Sequence, residues 1–196
     1  MTLVFATNNE NKVKEIRSML GDAFAIITLQ EAGIDIDIPE PHDTLEANAR
    51  EKSETIYKLT GKNSFSEDTG MEVDALNGEP GVLSARYAGE QKSATDNMAK
   101  VLHLLEGQAN RQARFRTVIS LIIDGTEHQF EGMAEGNILP APRGGKGFGY
   151  DPIFQPTGSE KAFAEMELSE KNQYSHRAKA FKKLIAFLQT EQHGKS

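Results

Sequence analysis

A short, unbroken apolar run, Leu3-Val4-Phe5-Ala6, reads as a buried strand, and its junction with the next segment constrains the fold most. A polar loop, Thr7-Asn8-Asn9-Glu10-Asn11-Lys12, leads at once into Val13, Ile16, Met19 and Leu20 at helical spacing, and Gly21 ends the helix. The chain therefore opens as strand, polar loop, helix. Such a loop presents backbone N–H groups and the positive end of the helix dipole, which suits an anion. Lys12 adds a charge in the first turn, of the wrong sign for helix stability unless an anion sits there. The alternative is an ordinary capped helix with an exposed lysine. The loop is not a P-loop, which needs G-x-x-x-x-G-K-[ST].

Ala25-Ile26-Ile27-Thr28-Leu29 reads as a second strand. Ile34-Asp35-Ile36-Asp37-Ile38 alternates, as a short strand with one wet face or as an extended segment. Pro39-Glu40-Pro41 stays extended, because each proline restrains its neighbour. Glu40 is thus a carboxylate on a stiff segment, a solvated loop acid by default and a metal ligand in the alternative. Asp43 and Glu46 resemble a capping box for a helix that runs to about Thr60 and stops at Gly61. Leu45, Ala49, Ile56 and Leu59 form its apolar stripe. Lys52 falls on the same stripe, where a lysine snorkels to the surface by default or reaches into a cleft.

After a strand at Asn63 to Ser66 comes Ser66-Glu67-Asp68-Thr69-Gly70. Adjacent acids before a glycine are either a solvated turn, for which Gly70 is suited, or a metal site or catalytic base at a strand end. Strand alternation turns Glu67 away from the face that Asp68 presents. Met71 to Leu76 alternates up to the turn Asn77-Gly78. Ser93 caps a helix carrying Met98, Val101, Leu102 and Leu105. Arg111 to Ile123 reads as a long strand that turns at Asp124-Gly125 and returns through Met133 as an antiparallel hairpin. Its Arg111, Arg114 and Arg116 suit a polar sheet face better than nucleic acid, since the net charge is −7. The segment from Pro140 to Pro152 sets Phe148 and Tyr150 among Gly144, Gly145, Gly147 and Gly149, with Arg143 and Lys146. Its flat rings offer stacking faces for a base. It does not fit G-x-G-x-x-G. Lys171 precedes Ser175, which caps a terminal helix with Phe181, Leu184, Ile185 and Leu188 inward. His176 and Arg177 then lie in its first turn, where the dipole disfavours cations.

With 196 residues the chain is expected to be one domain over residues 1–196, or one domain with two lobes. There are no cysteines, hence no disulfides, thiolate metal sites or thiol nucleophiles. The N-terminus lacks the basic and apolar regions of a signal peptide, and the apolar run around Val118 to Ile123 is far too short to span a membrane. A cytoplasmic protein is expected, with no membrane and no stable nucleic-acid partner.

Together these features match the needs of a nucleoside triphosphate hydrolase. A polar loop with Lys12 meets phosphates, Glu40, Glu67 and Asp68 offer hard oxygen ligands for Mg²⁺, and one acid activates water. Phe148 stacks a base, with His176 and Arg177 at its edge. The alternatives are a nucleotide-binding module without catalysis and a pyrophosphatase for other bases. In the same order, the segments Thr7 to Lys12, Ser66 to Gly70, Gly78 to Tyr87, Gly147 to Pro152, and Glu170-Lys171 through Ser175-His176-Arg177 resemble the motif series of the inosine triphosphate pyrophosphatase family (dITP/XTP pyrophosphatases). The acidic motif departs mildly, reading Glu67-Asp68-Thr69-Gly70 where bacterial members often read Asp-Asp-Ser-Gly.

The resemblance implies an α/β fold with a long central mixed sheet flanked by helices, two lobes and an active-site cleft between them. It implies a Mg²⁺-dependent homodimer that hydrolyses ITP, dITP and XTP to the monophosphate and pyrophosphate. By matched position, Thr7, Asn8, Asn9, Glu10, Asn11 and Lys12 bind phosphates and Lys52 reaches them. Glu40 and Asp68 hold the metal, and Asp68 is the catalytic base. Thr69, Phe148, Gly149, Tyr150, Asp151, Lys171, His176 and Arg177 contact the substrate.

Overall fold

The opening strand, loop and helix form as expected. In a computed structural model describing residues 1–194, β1 (Thr2–Phe5) leads into α1 (Glu10–Leu20), and β2 (Ala25–Thr28) returns parallel to β1, Leu3 beside Ile26. Parallel neighbours need a crossover, and α1 provides it. Residues 34–38 stay extended without becoming a strand. Their alternation is nevertheless obeyed: Ile34, Ile36 and Ile38 pack on Val4, Ala6, Leu29 and Ile56, while Asp35 and Asp37 are exposed.

The cap of α2 (Leu45–Thr60) is Thr44, whose hydroxyl accepts from the Ala47 N–H at 3.1 Å, and not the expected Asp43. Its buried stripe is Leu45, Asn48, Ala49, Lys52, Ser53 and Ile56. Leu59 lies at the right angle for that stripe yet is 59% exposed, since it sits in the last turn, beyond the core that Ile56 meets.

The expected turn at Gly70 is absent. β3 (Ser64–Val73) runs through it as one strand. The glycine serves close approach instead. β4 (Pro80–Gly81) pairs antiparallel with β3, and a Cβ on Gly70 would lie 2.5 Å from the Gly81 carbonyl oxygen. After α3 (Ala94–Leu104), capped by Ser93, the hairpin forms as β5 (Gln112–Ile123) and β6 (Thr126–Ile138). β6 outruns its expected end at Met133 because its last residues pair with β7 (Phe154–Pro156), Ile138 opposite Phe154. α4 (Leu168–Lys171) and α5 (His176–Gly194) complete the order of elements.

The strands form one mixed seven-stranded sheet in the order β2-β1-β3-β5-β6-β7, with β4 on β3, and helices flank it. The chain divides into two compact units. The first comprises Met1–Asp68, Thr117–Gly132 and the residues from Arg177 on, around Leu3, Phe5, Phe65, Leu121 and Phe181, with Phe5 stacked on Phe65 at 4.4 Å. The second comprises Thr69–Arg116 and Met133–His176, around Met71, Phe115, Ile153, Phe154 and Phe163.

Within the second unit, Arg114 and Arg116 both donate to Glu72, at 2.7 and 3.0 Å, and Arg111 donates to the carbonyls of Ile138 and Leu139. Burial alone would raise the Glu72 carboxyl, but the two guanidinium groups outweigh it and hold it low. The arginines are thus used within the sheet. Among the described residues no helix is long and apolar enough to cross a membrane.

Candidate active site

Strand geometry sends Glu67 and Asp68 to opposite faces of β3, and each meets a different lysine. Asp68 is 4% exposed and has Lys52 Nζ 3.6 Å from its Oδ1. Lys52 does not snorkel. It is 6% exposed, donating to the Glu67 carbonyl at 2.6 Å and to Glu40 Oε1 at 3.0 Å. Those acceptors explain why an inward lysine is tolerated on α2. Glu40 continues the parity of Ile34, Ile36 and Ile38, so the extended segment that buries the isoleucines also brings this carboxylate to Lys52.

The charges are unequal in their settings. Burial pushes the Asp68 carboxyl up from 3.8 to about 6, helped by the negative charges of Glu40 and Glu67 and opposed by Lys52 and Lys12. Burial would also raise Glu40, but Lys52 and Lys12 outweigh it and leave Glu40 lowered. Burial alone would depress Lys52, yet Asp68, Glu40 and Glu67 hold it raised and charged. One carboxylate is thus kept ionised while its neighbour is made basic, a division that suits an electrostatic partner and a proton acceptor.

Asp68 Oδ2 is buried and has no hydrogen-bond partner among the described residues. A buried carboxylate oxygen without a donor is costly unless a further ligand completes it. No group of three or more His, Asp or Glu gathers among the described residues. Glu40 and Asp68 together fit an ion that takes one or two protein carboxylates and completes its shell with water and phosphate oxygens, as Mg²⁺ does.

On the other face, Glu67 is 1% exposed and accepts from Lys12 at 3.0 Å and from Arg177 Nη2 at 3.2 Å. Turned from Asp68, it still anchors the polar loop. Arg177 also donates to Glu15 at 2.6 Å and is 1% exposed. Its guanidinium is therefore committed to carboxylates and is not open at a base edge. Sequence reasoning missed Glu15, although it lies beside Ile16 on the buried face of α1. The polar loop is less open to anions through its backbone than expected: Asn9 Oδ1 accepts from the N–H groups of Asn11 and Lys12, and Thr7 Oγ1 from that of Asn9. Asn8 donates to the Ile36 carbonyl, while Glu10 and Asn11 are exposed.

The second unit gathers the remaining candidates. Lys171, 2% exposed, donates to Asp151 Oδ2 at 2.7 Å, and its ammonium lies 5.1 Å from the Phe148 ring centre. The Phe148 N–H donates to the same carboxylate oxygen. Gly147 makes this possible: its φ is +73°, and a Cβ there would collide with Asp151. Tyr150 is no stacking platform. It is buried, donates its hydroxyl to the Ser84 carbonyl at 2.6 Å, and burial raises its pKa. Gly149, at φ +61°, links it to Phe148. His176 is 3% exposed and stacks on Phe115 at 4.5 Å. Thr69, partly buried, comes directly after Asp68 in β3.

The comparisons with known proteins agree with this architecture. The Ham1 family model matches residues 3–187. The chain is 51% identical over 188 residues to the dITP/XTP pyrophosphatase of Flavobacterium johnsoniae, covering 96% of this chain and 98% of that protein. It is 50% identical to the Porphyromonas gingivalis dITP/XTP pyrophosphatase, over 95% of this chain and 96% of that one. The solved structure of the Staphylococcus aureus Ham1 protein superposes with a TM-score of 0.88 at 40% identity, covering 97% of this chain and 100% of that one. Matches of this length and identity leave one assignment: the chain belongs to the Ham1 family.

Proposed function

We propose that the protein hydrolyses deaminated purine nucleoside triphosphates, ITP, dITP and XTP, to the monophosphate and pyrophosphate, with Mg²⁺ as cofactor. The observation that carries this reading is the buried Asp68 carboxyl, one oxygen without a donor and its pKa pushed up to about 6, beside the charged Lys52. The names of the relatives supply the substrate class.

Asp68 takes the proton from a water as that water attacks the α-phosphorus, and its raised basicity favours the transfer near neutral pH. Lys12 and Lys52 neutralise the triphosphate and the charge that builds on departing pyrophosphate. Thr7 to Asn11 line the phosphate end, chiefly through side chains, because Asn9 and Thr7 already cap the N–H groups of Asn9, Asn11 and Lys12. Glu40 and Asp68 would hold Mg²⁺, which when bound supplies charge neutralisation for the phosphate oxygens.

The base end falls to the loop around Phe148 and the first turn of α5. Phe148 stacks the purine, with Gly149, Tyr150 and Asp151 shaping its loop. Lys171, His176 and Arg177 serve the 6-oxo group, with Thr69 nearby in sequence to Asp68. Because Arg177 is held by Glu15 and Glu67, its contribution requires exchange of one of these ion pairs for the base. Hypoxanthine and xanthine present an acceptor at position 6, whereas adenine presents an amino group and would leave the donors unpaired. The reading includes a homodimer in the cytoplasm, a setting in keeping with the lack of cysteine.

Hydrolysis of ITP in ¹⁸O-labelled water tests the reaction. Attack at the α-phosphorus puts the label in the monophosphate. Label in pyrophosphate, or orthophosphate as first product, would overturn it.

A further inference from the structure

The seam between α2 and the sheet, in the first unit, is lined with hydroxyls where an apolar contact would be ordinary. Ser64 and Ser66 are alternate residues of β3, both 0% exposed, and each ties back to α2. Ser66 Oγ donates to the Ala49 carbonyl, and Ser64 Oγ donates to the Ser53 carbonyl at 3.0 Å. The tied carbonyls are one helical turn apart, about 6 Å of rise. The tying serines are two strand residues apart, about 6.6 Å. The spacings match, so the pair fixes α2 in one register along β3.

A third tie runs to β5 and β6. Ser53 Oγ and Ser120 Oγ are 2.7 Å apart, and Ser120 Oγ donates to Glu127 Oε2 at 2.7 Å. A hydroxyl has one proton, and the carboxylate claims that of Ser120 more strongly. Ser53 then donates to Ser120 at 2.7 Å, with the Arg50 carbonyl as its second, longer acceptor at 3.1 Å. Glu127 is held in turn by Arg50, from α2, at 2.9 Å.

Lys52 sits among these ties, between Ala49 and Ser53. Its ammonium meets the Glu67 carbonyl, Glu40 and Asp68. A slip of α2 by one residue would move its anchor about 1.5 Å, enough to lose these contacts. A purely apolar seam sets distance and leaves register looser.

We propose that Ser66, supported by Ser64, is a positioning residue that acts through α2 to hold Lys52 against Asp68 and Glu40. The proposal rests on the reading that Lys52 serves the triphosphate.

The test is Ser66→Ala, with Ser64→Ala as a second variant should the first fail to fold. Three quantities are compared with wild type: kcat and KM for ITP, the ¹⁵N–¹H resonance of the Lys52 ammonium in lysine-labelled protein, and the effect of the same substitution in a Lys52→Ala background. The expected result is a fall in kcat on the order of tenfold, as misplaced charge gives. KM stays within about twofold, the Lys52 resonance shifts or broadens, and the substitution costs nothing further once Lys52 is gone. An equal loss in both backgrounds, or an unchanged Lys52 resonance, would overturn the proposal. Full activity of Lys52→Ala would instead remove the reading of Lys52, while the resonance still reports whether Ser66 places it.

Discussion

Replacing Asp68 by asparagine keeps its size and removes its charge, so it separates two consequences of burial. A general base contributes about 10²–10⁴-fold, and Asp68→Asn is expected to lose that much in kcat while retaining triphosphate binding. The second consequence runs the other way. A rise of the folded-state pKa from 3.8 to about 6 corresponds to about 3 kcal/mol. Below pH 3.8 the carboxyl is protonated whether folded or not and exacts no cost. Between there and pH 6 the folded state holds the proton more tightly than the unfolded state, so stability falls as pH rises. Above pH 6 the full cost remains. In metal-free protein, Asp68→Asn should therefore be more stable than wild type at pH 8, by up to about 3 kcal/mol, with the gain shrinking to nothing near pH 4. Urea unfolding in chelator across that range, alongside pyrophosphate release, measures both. A variant with full activity would show that Asp68 is not the base. A gain over wild type no larger at pH 8 than at pH 4 would refute the account of its burial.

Gly70→Ala should cost about 2–3 kcal/mol in urea unfolding, because the new methyl meets the backbone of β4 where no flexible side chain can yield; a near-neutral result would mean β3 and β4 can part. Phe148→Ala should raise KM for ITP about tenfold, the loss of one base stack, with kcat little changed. An unaltered KM would take Phe148 away from the purine.

Much of the site was legible where local periodicity governs it. Glu40 shares the parity of Ile34, Ile36 and Ile38, and Lys52 shares the stripe of Ala49 and Ile56, so both inward placements lie in the pattern. The default expectation failed for Lys52 because it took charge as a reason for exposure, whereas Lys52 is inward with acceptors at its tip; the Glu40 side chain keeps 38% of its exposure. Gly70 misled because glycine serves both turns and close approach, and only the position of Gly81 distinguishes them. Tyr150 was misread for a similar reason: a ring among glycines looks available until the Ser84 carbonyl is seen to hold its hydroxyl. Arg177 and Glu15 are 162 residues apart, and no local pattern announces such a pair. The family motifs carried the order of the site, but not which of its charges are already matched to one another.

Initial rates of pyrophosphate release from ITP, XTP, ATP, GTP, CTP and UTP, measured side by side with Mg²⁺, test the central claim most directly. Rapid release from ITP and XTP with little from the others is the expected result. Equal rates on ATP would contradict recognition of the 6-oxo purine.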